Sequence, residues 1–127
     1  QDLVIGADTV VVLENRIFGK PRDREEARQM LWMLSGKTHE VYTGVALYAP
    51  AGKEIFFQKT KVHFYELNEE IIEWYLNTGE PFDKAGAYGM QGCGCVLVRG
   101  IEGDYFNVVG FPIAETARKI ARYMREK

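Results

Sequence analysis

The chain has 127 residues, a formal net charge of −2 and 46% hydrophobic residues, which is the balance of a single globular domain with its own core. This charge predicts no general affinity for nucleic acid polymers, and no apolar run reaches the roughly 18 residues of a membrane-spanning helix. Two cysteines, Cys93 and Cys95, are too few for a structural zinc site, so we interpret them as small buried thiols of a reducing, cytoplasmic compartment.

The first residues predict two strands with a carboxylate between them. An apolar run over residues 2–7 and a second one over Val10–Leu13 flank Asp8 and Thr9. A carboxylate is costly to bury unless it is paired or bound to a metal, so Asp8 either caps a turn or is a functional group. Since Leu3–Ile5 already has the pattern of a buried strand, we expect an upstream segment and a missing neighbour for this strand.

The next segment predicts a short hairpin followed by a helix. Residues 14–16 have the pattern of a turn, residues 17–18 return as a strand, and Lys20 lies at its tip. Asp23 and Glu26 have the spacing of a capping box. The predicted helix ends at Gly36 and has an apolar inner face formed by Ala27, Met30, Leu31 and Leu34.

The middle of the chain predicts a hairpin of two long strands over residues 39–49 and 54–67, followed by a helix that Asn68 caps and Gly79 ends. His39 and His63 have no acidic neighbours at ligand spacing, so we interpret both as ordinary strand residues.

The last third predicts short strands over residues 96–98 and 105–109, separated by a turn over residues 100–104. A final helix begins near Pro112. We expect its inner face to consist of Ile113, Ala117, Ile120, Ala121 and Met124. Taken together, the elements predict one α/β domain over residues 1–127, with a mixed, twisted sheet flanked by helices.

A glycine-rich stretch over residues 82–95 interrupts this pattern. Glycine at such density usually lets backbone N–H groups approach a ligand, often an anion, although a long surface turn explains the composition about as well. Within the stretch, one side chain supplies a positive charge suited to phosphate and one supplies an amide that both donates and accepts. The glycines and these two residues are Gly86, Gly89, Gly92, Gly94, Lys84 and Gln91.

Four pieces of the sequence together resemble the Maf family of nucleoside triphosphate pyrophosphatases. They are Gly-Ala-Asp-Thr at residues 6–9, Gly-Lys-Pro at residues 19–21, Asp-Lys-Ala-Gly-Ala-Tyr-Gly-Met-Gln-Gly at residues 83–92, and Asn-Val-Val-Gly-Phe-Pro at residues 107–112. The third piece resembles the branch that acts on dTTP and UTP. The arginine-containing loop with which members of this family begin has no counterpart in the chain.

The resemblance implies an ITPase-like, Maf-like fold and hydrolysis of dTTP and UTP to the monophosphate and pyrophosphate. It implies that Asp8 is the proton acceptor, that Thr9 and Gln91 set base preference, and that Lys20 and Lys84 neutralise phosphate oxygens. A carboxylate at this position can also hold Mg²⁺ or Mn²⁺, so Asp8 is the expected metal ligand. Glu80 and Asp83 are either supporting or metal-binding groups or simply loop surface.

The expected partner is a nucleoside triphosphate, with no nucleic acid polymer, no membrane and a possible homodimer. If these roles are right, Asp8, Lys20, Lys84 and Gln91 converge on one cleft. The alternative is a non-catalytic nucleotide-binding module or a regulator of cell division.

Overall fold

The computed structural model describes residues 3–50, 52–108 and 112–125, with side chains up to residue 122. Five strands form one sheet in the order β2-β1-β3-β4-β5. The strands are β1 (Val4–Leu13), β2 (Arg16–Phe18), β3 (Thr38–Ala49), β4 (Gly52–Phe64) and β5 (Val98–Glu102). The helices are α1 (Arg24–Leu34), α2 (Glu69–Leu76), α3 (Tyr105–Val108) and α4 (Ile113–Arg125). The predicted α/β class, with a sheet flanked by helices, is confirmed.

The sheet differs from the prediction in one respect. A mixed sheet was expected, but every strand pair among the described residues is antiparallel. A tight turn over residues 14–15 joins β1 to β2. Helix α1 then connects β2 to β3, which pairs with β1 on the side opposite to β2 and also runs antiparallel to it.

Strand β1 is continuous, which corrects the prediction of two strands separated by a turn. Asp8 lies inside it and pairs with Gly44 of β3. The side chain of Asp8 is exposed, so its charge stays hydrated and carries no burial cost. The turn-cap interpretation of Asp8 is therefore wrong.

One edge of β1 is open among the described residues. β2 pairs only with Val11–Leu13 of β1, so residues 4–10 have no strand on the side away from β3. The missing neighbour was expected, but the expected burial was not found, since Val4 is 56% exposed and Ile5 41%. The upstream segment stays a prediction.

The core lies between the sheet and helices α1 and α2. The four predicted apolar residues of α1 are all buried, and they pack with Val11, Val41 and Val62 of the sheet. Both predicted caps are present: the side chain of Asp23 accepts the N–H of Glu26 at 2.8 Å, and that of Asn68 accepts the N–H of Ile71 at 2.8 Å.

The region after the glycine-rich stretch was predicted wrongly. Residues 92–97 form a 3₁₀ helix, residues 98–102 form β5, and residues 105–108 form α3 rather than a strand; residue 109 lies outside the described residues. Asp104 explains the helical turn. Its side chain accepts the N–H of Phe106 at 2.9 Å and its carbonyl accepts that of Asn107 at 3.1 Å. This local capping outweighs the β-propensity of the aromatic residues.

The predicted inner face of α4 is also wrong where it is described. Ala117 and Ala121 are exposed, Ile113 is half-exposed and Ile120 is partly buried, whereas the buried side chain is Thr116; the side chain of Met124 lies outside the described residues. Lys119 and Arg122 each donate to Glu54 of β4 at 2.6 Å, so polar contacts fix this helix to the sheet. None of the helices in the described part of the chain is long and apolar enough to cross a membrane.

The core packing of α1 gives a test with neighbouring positions. We expect Leu31→Ala to lower the free energy of unfolding by about 2–5 kcal/mol, because Leu31 is fully buried and its truncation leaves a cavity. Trp32 is 41% exposed, so Trp32→Ala serves as the control with a smaller loss. Denaturant unfolding of both variants measures the difference, and equal losses would contradict the assigned helix face.

Candidate functional site

A cavity of about 430 Å³ lies at the open edge of β1. Three segments that are distant in sequence line it: residues 7–11 of β1, residues 19–20 after β2, and part of the glycine-rich stretch over residues 83–91. Val41 and Val108 complete the lining. The volume suits a ligand of small-molecule size.

Glycine holds the stretch against the sheet. Gly86 has φ +72°, and a Cβ there would meet Val11 at 2.9 Å, so a side chain would be both strained and crowded. The N–H of Gly86 donates to the carbonyl of Gly19 at 3.0 Å. This bond ties the segment that carries Lys20 to the segment that carries Lys84.

A second glycine makes room for Lys84. A Cβ on Gly89 would lie 2.5 Å from Cε of Lys84, so the aliphatic part of the lysine crosses the bare backbone of Gly89. The ammonium group lies 3.5 Å from Oδ1 of Asp83. That distance is loose for an ion pair, so the ammonium group of Lys84 remains available to a ligand in the cavity.

A partly buried polar network fixes the far side of the stretch. Glu80 accepts the N–H groups of Cys93 at 2.8 Å and Gly94 at 3.2 Å, and the hydroxyl of Tyr75 at 3.1 Å. Tyr75 in turn accepts the N–H of Gly89 at 2.9 Å. These bonds, led by that from the Cys93 backbone, hold the pKa of the Glu80 carboxyl below its usual value, whereas burial raises the pKa of Tyr75.

An aromatic cluster supports the floor of the cavity. Tyr88 lines the cavity, and its hydroxyl lies 2.6 Å from Nε2 of the buried His39. Phe64 completes the cluster with edge-on ring contacts to both, at centroid distances of 5.1 Å to His39 and 4.8 Å to Tyr88. Burial, with a smaller contribution from His63, lowers the pKa of His39 to about 4, so its ring is neutral near pH 7.

All five predicted site residues line the cavity: Asp8, Thr9, Lys20, Lys84 and Gln91. Asp8 and Lys20 are exposed, and Asp8 accepts the N–H of Thr9 at 3.0 Å through Oδ1. The four residues expected to converge therefore share one cleft in the structure. Their chemical roles stay predictions.

Two carboxylates line the cavity, those of Asp8 and Asp83. The described residues contain no cluster of three His, Cys, Asp or Glu side chains able to hold a metal ion by themselves. Mg²⁺, however, commonly binds through one or two carboxylates together with substrate phosphates and water. The donor set thus fits a divalent cation that arrives with a phosphate ligand.

The sequence did not reveal the roles of several residues that support the site. Glu80 was weighed as a metal or supporting group or as loop surface, and it holds backbone N–H groups. Tyr75 was assigned only to the inner face of α2, although its position five residues before Glu80 suits a contact across the end of that helix. His39 was expected to be an ordinary strand residue, and its bond to Tyr88 has no local sequence signal.

The cysteine interpretation needs one correction. Cys93 is half-buried and Cys95 is exposed, so only the first resembles the buried thiol that was expected. The backbone of Cys93, rather than its sulfur, contributes to the site through the bond to Glu80.

Comparison with known proteins identifies the class. The family model for Maf-like proteins matches residues 1–123, and the chain belongs to this family. It is 58% identical over 119 residues to the dTTP/UTP pyrophosphatase of Geobacillus sp. (strain WCH70), covering 94% of this chain and 64% of that protein.

Two further relatives, from Bacillus cereus and Bacillus cytotoxicus, are also named dTTP/UTP pyrophosphatase. They are 53% and 52% identical over 95% and 97% of this chain, and the matches cover 63% and 64% of their own length. The chain thus spans slightly less than two thirds of the length of these curated relatives.

Close backbone packing in the glycine-rich stretch can be tested by adding one methyl group. A Cβ on Gly94 would lie 1.8 Å from the carbonyl oxygen of Gly89, whereas a Cβ on Gly100 meets nothing within 4 Å. We expect Gly94→Ala to cost at least about 1–3 kcal/mol of unfolding free energy, because backbone must shift. Gly100→Ala should change stability by less than about 1 kcal/mol. Equal unfolding midpoints for the two variants would contradict the packing.

The buried His39 predicts a pH dependence of stability. Its pKa is about 4 in the folded chain and about 6.5 in the unfolded chain. The stability that comes from burying the neutral ring is therefore fully present above pH 6.5. As the pH falls from about 6.5 to 4, the unfolded state takes up a proton first and stability drops by up to about 3 kcal/mol. Denaturant unfolding over this range measures the drop.

The two histidines provide the control for this pH dependence. His39→Gln should remove most of the drop between pH 6.5 and 4.5, whereas His63→Gln should keep it. A wild-type stability that stays constant over this interval would be the contrary result.

Proposed function

We propose that this protein is a nucleoside triphosphate pyrophosphatase that hydrolyses dTTP and UTP to the monophosphate and pyrophosphate. The observation that carries the proposal is the single cavity in which two exposed carboxylates, two lysines and an amide meet. Membership of the Maf-like family and the names of the relatives support the choice of substrate.

The reaction needs a water, a base and positive charge near the phosphates. Water attacks the α-phosphorus, Asp8 takes the proton of that water, and the bond from the α-phosphorus to the bridging oxygen breaks to release pyrophosphate. An exposed carboxylate beside the open strand edge is accessible to such a water. Asp8 is therefore the proposed catalytic base.

The two lysines offset the charge that develops on the phosphate oxygens. Lys20 is exposed at the cavity, and Lys84 is held across Gly89 with only a loose contact to Asp83. Positive groups placed before the reaction lower its barrier without reorganising during it. Asp8 would also hold Mg²⁺ or Mn²⁺, and the cation would supply further charge neutralisation.

Thr9 and Gln91 are proposed to contact the nucleobase of the substrate. Uracil and thymine present two carbonyl acceptors and one N–H donor, and the Gln91 amide can both donate and accept. Gln91 is exposed at the cavity, with its side chain free to meet such an edge.

Pyrophosphate release from dTTP, UTP and dCTP, with added Mg²⁺ or Mn²⁺ and with EDTA, tests the proposal. We expect release from dTTP and UTP that depends on the added metal. Binding of these nucleotides without pyrophosphate release would support the non-catalytic nucleotide-binding module instead.

The role of Asp8 has its own test. Asp8→Asn keeps the shape of the side chain but cannot accept a proton at neutral pH, so turnover should fall by about 10²–10⁴-fold while nucleotide affinity changes little. Lys20→Ala should weaken both turnover and affinity, because it removes charge facing the phosphates. Pyrophosphate release and titration calorimetry separate the two effects. Near-normal turnover of Asp8→Asn at saturating metal would transfer the role of base to another carboxylate.

A further inference from the structure

A threonine below the cavity contacts the one that lines it. Thr9 and Thr43 face each other across the β1–β3 pair, and their Oγ1 atoms are 2.9 Å apart. Thr43 is fully buried, whereas Thr9 is partly exposed at the cavity. The hydroxyl of Thr43 also donates to the backbone carbonyl of Asn107 at 3.3 Å.

The 2.9 Å contact alone does not say which threonine donates, so the direction is inferred from the contact of Thr43 with the carbonyl of Asn107. A hydroxyl has one proton and two lone pairs, whereas a carbonyl oxygen only accepts. The proton of Thr43 is used by Asn107, so Thr9 must donate its own proton to Thr43. The oxygen of Thr9 then faces the cavity with lone pairs only, as a hydrogen-bond acceptor.

The backbone carbonyl of Asn107, which accepts the proton of Thr43, is itself held in place. Asn107 is buried, and its side-chain amide donates to the carbonyl of Val41 at 3.1 Å and to Oγ1 of Thr60 at 2.9 Å. Thr60 also accepts the N–H of Asp104 at 3.1 Å, at the start of α3. Since α3 is held to β3 and β4 in this way, the acceptor for Thr43 cannot turn away.

We propose that Thr43 is a specificity-determining residue that acts through Thr9. It keeps the Thr9 hydroxyl as an acceptor, and this favours a pyrimidine whose ring N3 carries a proton, as in uracil and thymine. Cytosine has an unprotonated N3, which is itself an acceptor and meets the Thr9 oxygen unfavourably. The inference rests on the proposed function in placing a pyrimidine base in this cavity.

Removing only the buried hydroxyl of Thr43 tests its proposed role in specificity. In Thr43→Val the shape of the side chain is retained, but Thr9 loses its acceptor and can turn its proton toward the cavity. The preference for UMP over CMP should then fall by roughly tenfold, the worth of about one hydrogen bond. A purely structural effect would weaken the binding of UMP and CMP equally and leave the ratio of their affinities unchanged.

Two variants serve as controls. Thr43→Ser keeps the hydroxyl and should retain the ratio. Thr116→Val removes another buried threonine hydroxyl, one with no hydrogen-bond partner among the described residues, and should also retain it. If Thr43→Val does not fold by circular dichroism, Thr43→Ala makes the same test without the β-branched side chain.

The experiment is an NMR titration of the 127-residue chain with UMP and with CMP. These monophosphates are not substrates for pyrophosphate release, so the result does not depend on turnover. A wild-type preference for UMP that Thr43→Val loses and Thr43→Ser keeps supports the inference. Equal wild-type affinities, binding of neither nucleotide, or a ratio unchanged in Thr43→Val would overturn it. A Thr43-dependent preference without pyrophosphate release would leave this inference standing and overturn the proposed function.

Discussion

The contact between the glycine-rich stretch and strand β1 is the constraint on which the site depends. Gly86 lies so close to Val11 that a Cβ would approach within 2.9 Å, and its N–H is bonded to the carbonyl of Gly19. Those two contacts bring together segments separated by tens of residues in sequence. Without them, Asp8, Lys20 and Lys84 would have no common cavity.

Polar groups that do not face the cavity hold this arrangement in place. Glu80 places its charge on backbone N–H groups and on Tyr75, and a charge-assisted bond of this kind is stronger than a neutral one. The carboxylates left to face the cavity are Asp8 and Asp83. Separating supporting from ligand-facing carboxylates in this way allows a fixed backbone beside a hydrated reactive group.

The open edge of β1 explains how a strand residue can present a hydrated carboxylate, as the role proposed for Asp8 requires. A carboxylate inside a covered strand would lose its hydration and require a partner. Asp8 lies in the part of β1 that β2 does not cover, and its side chain is exposed. The same short pairing that leaves the edge open also leaves room for the cavity.

The sequence by itself determined the helices α1 and α2, their caps, the long hairpin and five of the residues that line the cavity. Those features depend on periodicity and on near neighbours, or on the motif of a family. Tertiary structure decided what depends on distant contacts: the continuity of β1 through Asp8, the helical α3, the exposed face of α4 and the bonds of His39, Glu80 and Thr43. A strand position is equally compatible with burial or exposure until its neighbours are in place, and the direction of a hydroxyl proton depends on which acceptor the fold brings beside it.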